Sequence, residues 1–268
     1  MMKHSAKIAL IVGFFSITAL CKEAKEKTVL LKIDYKGKQA CVYSVDYSSR
    51  GIFKQKDSTS IKSTSVHGVL SFTNKQKNLS VKVDSISIAS DMLKEEQRKE
   101  IAQKLIKPEY SLSLSLGFPS IDSGAIMPIE QYMEWDLIRQ LVKLLPALPK
   151  RAIYLGFTWE RTVTLPLQTA RGKTPCEIYG TYTLNKIKGD TAIVSWKLAY
   201  TAMKKAADST DVLRHIPVAG KGNGSAILDV RNRCIISAEM DFSTPLGTVG
   251  EISVTWSEKA SLKLKSCK

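Results

Sequence analysis

Residues 110–116 read YSLSLSL. In an extended chain successive side chains point to opposite faces, so Tyr110, Leu112, Leu114 and Leu116 fall on one side and Ser111, Ser113 and Ser115 on the other. A helix does not fit, because its period of about 3.6 would scatter the three leucines around its axis. The stretch reads as a strand with one apolar face, and the fold turns on what that face meets.

The same alternation runs outward in both directions. Val29, Leu31, Ile33 and Tyr35 share a face, as do Cys41, Tyr43, Val45 and Tyr47. Leu79, Val81 and Val83 continue it, and Ile86 and Ile88 resume it one residue out of phase, which predicts a bulge near Ser85. Later come Phe157, Trp159, Val163 and Leu165, then Ala192, Val194, Trp196, Leu198 and Tyr200. Cys234, Ile236, Ala238, Met240 and Phe242 follow, and Ile252, Val254 and Trp256 lead to Leu262 and Leu264. About ten to twelve strands are implied.

Helical spacing breaks in at three places. Residues 91–106, DMLKEEQRKEIAQKLI, are rich in helix formers, with Ser90 or Asp91 placed to cap the first turn and Pro108 closing the run. Residues 128–145 open with a proline and carry Ile129, Met133, Leu137 and Leu141 at four-residue steps. Residues 201–216 read as helix or loop.

The expected fold is therefore mainly β, of the α+β class: a large curved antiparallel sheet, a half-barrel or a two-layer β structure, with two or three helices. Segments 72–92 and 183–203 both read strand, Asn-Lys turn, strand and end near Met, and 110–127 and 224–240 again resemble each other. Either this is an internal duplication, with repeats at 28–127 and 157–266 joined by a helix at 128–145, or it is chance likeness among Ser- and Lys-rich strands in one β domain over 28–268. Ten strands spaced about 4.8 Å apart make a sheet about 48 Å wide, whereas a helix covers about 10 Å. The predicted helices cannot shield such a face, so the sheet must curl, double over or hold something apolar.

The N-terminus carries Lys3 and Lys7, an apolar run from Ile8 to Leu20, then Cys21 and the polar KEAKEK of 22–27. The run is short of the ~20 residues a helix needs to cross a bilayer core, so 1–21 reads as an export signal and 22–27 as a tether. Cys21 stands where a lipoprotein signal places its acylated cysteine. Thr18 and Leu20 depart from the usual residues around such a site, which leaves lipidation beside ordinary secretion with cleavage near Ala19 or Cys21. Four further cysteines, Cys41, Cys176, Cys234 and Cys267, suffice for two disulfides in an oxidising compartment, with the pairing open. A net charge of +15 favours contact with an anionic membrane or envelope surface. Nucleic acid is disfavoured as a partner by the exported address and an aromatic content of 7%.

Between the predicted halves lies LPALPKRAIYLGFTWERTVTLP, residues 145–166. On Leu145, Pro146, Leu148, Pro149, Gly156, Trp159 and Pro166 the chain resembles a family of uncharacterised bacterial envelope lipoproteins with a central LP..P...G..W element. The later GKGNGSAILDVRN, 220–232, is similar to that family's glycine turn and Asp-containing strand. The resemblance implies a β body and an envelope address and transfers no catalytic residue.

Catalytic signatures are weak. His67 and His215 have no metal-ligand spacing, and no cofactor is implied. GKGNGS (220–225) lacks phosphate-loop spacing and reads as a hairpin or loop turn. Ser123 and Ser225 sit in no GxSxG elbow, and Glu239 and Asp241 share what reads as the solvated side of a strand. A hydrolase is thereby the least favoured class. The leading expectation is a non-enzymatic envelope protein binding a lipid or acylated ligand on a concave face lined by Tyr43, Tyr47, Tyr110, Leu112, Leu114, Trp159, Trp196 and Tyr200. The alternative is a scaffold in which those side chains are ordinary core.

Overall fold

The computed structural model describes residues 28–35, 40–75, 78–106, 108–113, 120–121, 126–128, 134–136, 144–169, 172–202, 219–249 and 252–268. In chain order the elements are β1 (Thr28–Val29), β2 (Ala40–Gln55), β3 (Ser58–Lys75), β4 (Asn78–Ser90), α1 (Glu95–Ile106), β5 (Glu109–Ser113), β6 (Ser120–Ile121), β7 (Ile126–Pro128) and β8 (Glu134–Asp136). The second half adds β9 (Ile153–Tyr154), β10 (Thr158–Thr169), β11 (Gly172–Lys188), β12 (Thr191–Ala202), β13 (Ala219–Asp229), β14 (Cys234–Val249) and β15 (Ile252–Cys267).

Eleven strands form one antiparallel sheet in the order β10-β11-β12-β13-β14-β15-β2-β3-β4-β5-β6. The C-terminal β15 pairs with β2 along nearly its whole length, from Ile252 opposite Gln55 to Cys267 opposite Cys41. That seam joins two meanders into one surface about 50 Å wide at the usual strand spacing. Among the described residues its outer strands, β10 and β6, are not paired to each other, and the sheet is open.

Strand phase follows the alternation read from the sequence. Tyr110 and Leu112 of β5 are buried while Ser111 is partly exposed, and Leu114 and Leu116 lie outside the described residues. The register between β3 and β4 slips as Val69 faces Ser85 and Leu70 faces Val83, which places the expected bulge at Asp84. A second slip, between Ile227 and Leu228, puts Ile235 rather than Ile236 fully inside.

Three glycines make room for aromatic rings of neighbouring strands. Gly51 lies opposite Trp256, Gly224 opposite Trp196 and Gly222 opposite Phe242, and a methyl group added at any of the three would strike the ring of its partner. At Gly51 the nearest ring carbon would be 2.5 Å away. Each ring lies against a strand position with no side chain of its own, so backbone and aromatic approach closely. GKGNGS is therefore no hairpin turn, contrary to expectation: Gly220–Ser225 run within β13, where Gly222 and Gly224 make room for rings of neighbouring strands.

Two segments cover part of the apolar face. Val29, Leu31, Ile33 and Tyr35 are buried at alternate positions, and Leu144, Leu145, Ala147 and Ile153 come in from the centre of the chain. β1 pairs antiparallel with β9, Val29 opposite Ile153. The first segment is clipped to the β13–β14 turn: Asp34 and Tyr35 N–H groups both donate to the Arg233 carbonyl at 3.1 Å, and the Arg233 guanidinium meets Asp34 at 2.9 Å. One hydrophobic core unites these segments with residues of both wings, from Tyr110 and Leu112 to Trp159 and Tyr182.

Helix content is lower than expected. The first predicted helix forms as α1, four residues late, because Ser90 and Asp91 are otherwise engaged: Ser90 Oγ accepts the Met92 N–H, and Asp91 accepts from the backbone and hydroxyl of Ser63. The Lys94 N–H is met instead by Gln97. The helix predicted over 128–145 is not formed in its described parts, since Glu134–Asp136 pairs as a strand with Ile126–Pro128. Ladder pairing overrides a weak local propensity there. Residues 203–218, covering most of the third candidate, lie outside the described residues; Thr201 and Ala202 end β12.

Cysteine pairing is now fixed for one bridge, Cys41–Cys267, across the β2–β15 seam. The second bridge expected from four cysteines does not involve Cys234, whose sulfur is a buried thiol in the core; the Cys176 side chain lies outside the description.

Two stability tests follow. The Cys41–Cys267 link closes nearly the whole body, and in the chain-entropy picture a loop that long contributes about 5 kcal/mol. Reduction, or Cys41→Ser, is expected to lower unfolding free energy by about 2–5 kcal/mol in urea titrations. Gly224→Ala is expected to cost about 1–3 kcal/mol by overpacking against Trp196, with part recovered when Trp196→Leu is added.

Candidate ligand-binding face

The predicted lining residues fall on the inner face. Tyr43, Tyr47, Tyr110, Leu112, Trp159 and Trp196 are all at most 6% exposed and belong to a single core. Leu114 and the Tyr200 side chain lie outside the described residues.

Their rings form two groups. Across β10, β11 and β12 runs a ladder in which Phe157 stacks on Trp159 at 6.3 Å, Trp159 on Tyr182 at 5.6 Å, and Tyr182 tilts against Trp196 at 6.2 Å. On the opposite side Tyr35, Tyr43 and Phe72 meet, Tyr43 edge-on to Phe72 at 5.1 Å. Such contacts add to area burial because ring edges and faces carry opposite partial charge.

Polar tips mostly find backbone partners. The Trp159 indole donates to Ala147 O at 2.6 Å, which is why the LPALP segment and the tryptophan twelve residues on belong to one unit. Tyr43 donates to Ile235 O at 2.9 Å and Tyr110 to Leu105 O at 3.3 Å. Burial pushes the phenols of Tyr35, Tyr43 and Tyr182 well above the usual tyrosine range, so all three stay neutral. The Trp196 indole N–H, by contrast, is buried with no hydrogen-bond partner among the described residues.

A feature the sequence reading missed crosses this inner face. Glu258 of β15 is in phase with Trp256, Ala260 and Leu262 and is only 7% exposed. It stands opposite Ser49, which faces Thr64, which faces Ser90. Ser49 and Thr64 are also buried. Tyr47 donates to Glu258 Oε1 at 3.0 Å, and the Thr64 and Ser90 hydroxyls are 2.8 Å apart. The inner face is thus amphipathic: aromatic and aliphatic over most of its length, with one buried polar row across four strands. Its signal in the sequence was an interruption in the apolar phase, Tyr47-x-Ser49 and Trp256-x-Glu258-x-Ala260.

The outer face carries the remaining candidates. Ser225, Glu239, Ser261, Asp46, His67 and Ser87 lie opposite one another in a row across six strands. They help to line a shallow open trough of about 860 Å³. His67 is exposed on β3, not in a loop, and its Nδ1 lies 2.7 Å from Asp46, a carboxylate companion that spacing along the chain did not reveal. Glu239 and Asp241 are exposed as expected, Glu239 accepting from Ser225 and Asp241 facing Lys259 at 3.5 Å. Among the described residues no group of three or more metal-ligating side chains converges. His215 and Ser123 lie outside the description.

No family model matches the chain, and no curated protein matches it. Among solved structures it is similar to a lipovitellin chain studied for its lipid–protein interactions, with a TM-score of 0.47, 12% identity, and coverage of 85% of this chain and 25% of that one. The present chain thus spans about a quarter of that protein's length.

The polar row is separable from the fold. Replacing both partners of a buried polar contact by apolar groups of similar size is close to neutral or stabilising, whereas removing one leaves the other unsatisfied. Tyr47→Phe is expected to lower the unfolding free energy by about 1 kcal/mol, the usual net worth of one hydrogen bond, and to cost less when Glu258→Leu is already present, both read by chemical denaturation.

Proposed function

We propose that this chain is a non-enzymatic, exported envelope protein that binds an amphiphile on the inner face of its open sheet. The apolar chain would lie along the aromatic ladder, and a head bearing hydroxyl or ammonium donors would meet Glu258, Ser49, Thr64 and Ser90. The observation that carries this reading is the buried polar row on an otherwise apolar face. A core has no need of a carboxyl group, whose burial costs free energy unless it is fully satisfied. The row offers mainly acceptors and hydroxyls, which favours a donor-bearing head over an anionic one. The Trp196 indole N–H, buried without a hydrogen-bond partner among the described residues, offers a donor on the same face. An export signal at 1–21 and a tether at 22–27, as expected from the sequence, would bring such a protein to a membrane.

A second reading, an envelope scaffold with a filled interior, is favoured by the near-complete burial of Tyr43, Tyr47, Tyr110, Leu112, Trp159 and Trp196 against one another. The two differ in whether the rings yield to a guest.

The full chain purified without denaturation is expected to carry lipid detectable by mass spectrometry. After delipidation it should take up a fluorescent long-chain alcohol or amine, and uptake should fall at least about tenfold in the Glu258→Leu, Tyr47→Phe variant, a loss equivalent to about 1.4 kcal/mol of binding. Neither native lipid nor uptake of any probe would establish the scaffold instead.

A further inference from the structure

Five large apolar side chains are exposed among the described residues, and three of them, Leu30, Tyr154 and Leu155, lie on one small ribbon at 39%, 43% and 57% exposure. Scattered exposed apolar residues are ordinary; grouped ones mark a contact surface. The ribbon is β1 with β9, in which Thr28 faces Tyr154. Val29 and Leu31 point into the core while Thr28, Leu30 and Lys32 point out, beside exposed Ala152 and Tyr154. Lys150 and Arg151, also exposed, immediately precede β9.

The tip is held in shape. Tyr154, Leu155, Gly156 and Phe157 form a turn closed by the Phe157 N–H to the Tyr154 carbonyl at 3.1 Å, with Gly156 at φ 83°, a value that suits glycine and strains other residues. The turn is tied to β11 by Gly156 N–H to Leu184 O at 2.8 Å and Leu184 N–H to Phe157 O at 3.0 Å. Tyr154 packs edge-on against Phe157 at 5.4 Å, and the Arg151 guanidinium sits 5.2 Å over the same ring. Leu155 therefore projects from a fixed support instead of folding back onto the protein.

We infer that this ribbon docks on the surface of an anionic phospholipid bilayer, Leu155, Leu30 and Tyr154 entering the headgroup layer while Lys32, Lys150 and Arg151 meet lipid phosphates. The inference rests on the envelope address proposed above. Aromatic and aliphatic tips ringed by cations are the chemistry of an interfacial contact, and the chain carries +15 overall. The position of the ribbon in the chain selects the bilayer as occupant. Thr28 follows directly on the tether 22–27, six residues that at about 3.5 Å each reach no more than about 20 Å. An acyl group on Cys21, where lipidation is the route taken, would keep the ribbon within that reach of the leaflet. One acyl chain gives only marginal anchoring by itself, and a second, basic and apolar contact supplies what it lacks.

The test uses the full chain reconstituted in vesicles of phosphatidylcholine with phosphatidylglycerol whose acyl chains are brominated, with a fluorescent amino acid placed at position 155 or, as control, at 61. Ile61 is the comparably exposed apolar residue beside the β2–β3 turn. Quenching at 155 is expected to exceed that at 61 several-fold, to weaken in phosphatidylcholine alone, and to drop in a variant carrying Lys32→Glu, Lys150→Glu and Arg151→Glu. Equal quenching at the two positions would overturn the inference, as would a concentration-dependent dimer abolished by Leu155→Asp, which would give the ribbon to a second copy. Native lipid in the protein with position 155 unquenched sinks the docking surface alone, and quenching at 155 without probe uptake sinks the amphiphile reading alone.

Discussion

A sheet that is apolar on one face and unjoined at its edges has to have that face covered. Closing into a barrel would have hidden it by geometry alone; here other chain segments are drawn onto it, and rings lie over glycines of neighbouring strands: Trp256 over Gly51, Trp196 over Gly224 and Phe242 over Gly222. The other face of the same strands carries polar side chains around an open trough.

The segments drawn inside share a logic of one face in and one face out. Val29 and Ile153 are opposite one another and buried, while Leu30 and Tyr154 on the same ribbon face away. The Trp159 indole fixes the incoming LPALP segment through Ala147, and the following turn is clipped to Leu184. The exposed tip at Leu155 and the buried rings of β10 and β11 thus share one set of backbone and indole hydrogen bonds, through Gly156 and Trp159.

What could be read in advance was whatever depends on phase. Tyr110 and Leu112 pointed the right way, the slip at Asp84 was visible as a break between Val83 and Ile86, and the run from Glu95 to Ile106 has helix formers with little to compete with them. What could not be read depends on partners far along the chain. The glycines at 222 and 224 look like a turn until the rings that cover them are supplied from β12 and β14. The stretch around 134–136 looks helical until its pairing with 126–128 is known. The polar row needs Glu258, Ser49, Thr64 and Ser90 from four strands, and each by itself reads as a lapse in the alternation.

The rings that close the face are also the means by which it would open. A cavity kept empty for an apolar guest forfeits dispersion contacts along its whole lining, so a binding face without its guest is better covered than hollow. Branched aliphatic side chains that interlock from opposite walls make such a cover permanent, since moving one leaves a void on both sides. Aromatic rings lying flat on glycines are different. Rotation about their first side-chain bonds lifts the ring from a strand that carries no side chain, exposing backbone and a strip of apolar surface in one movement. Burial of Trp196 and Phe242 is what a covered face requires, and on the proposed function these rings would have to turn aside to admit an acyl chain. On that reading the row of Glu258, Ser49, Thr64 and Ser90 marks where a polar head would be met.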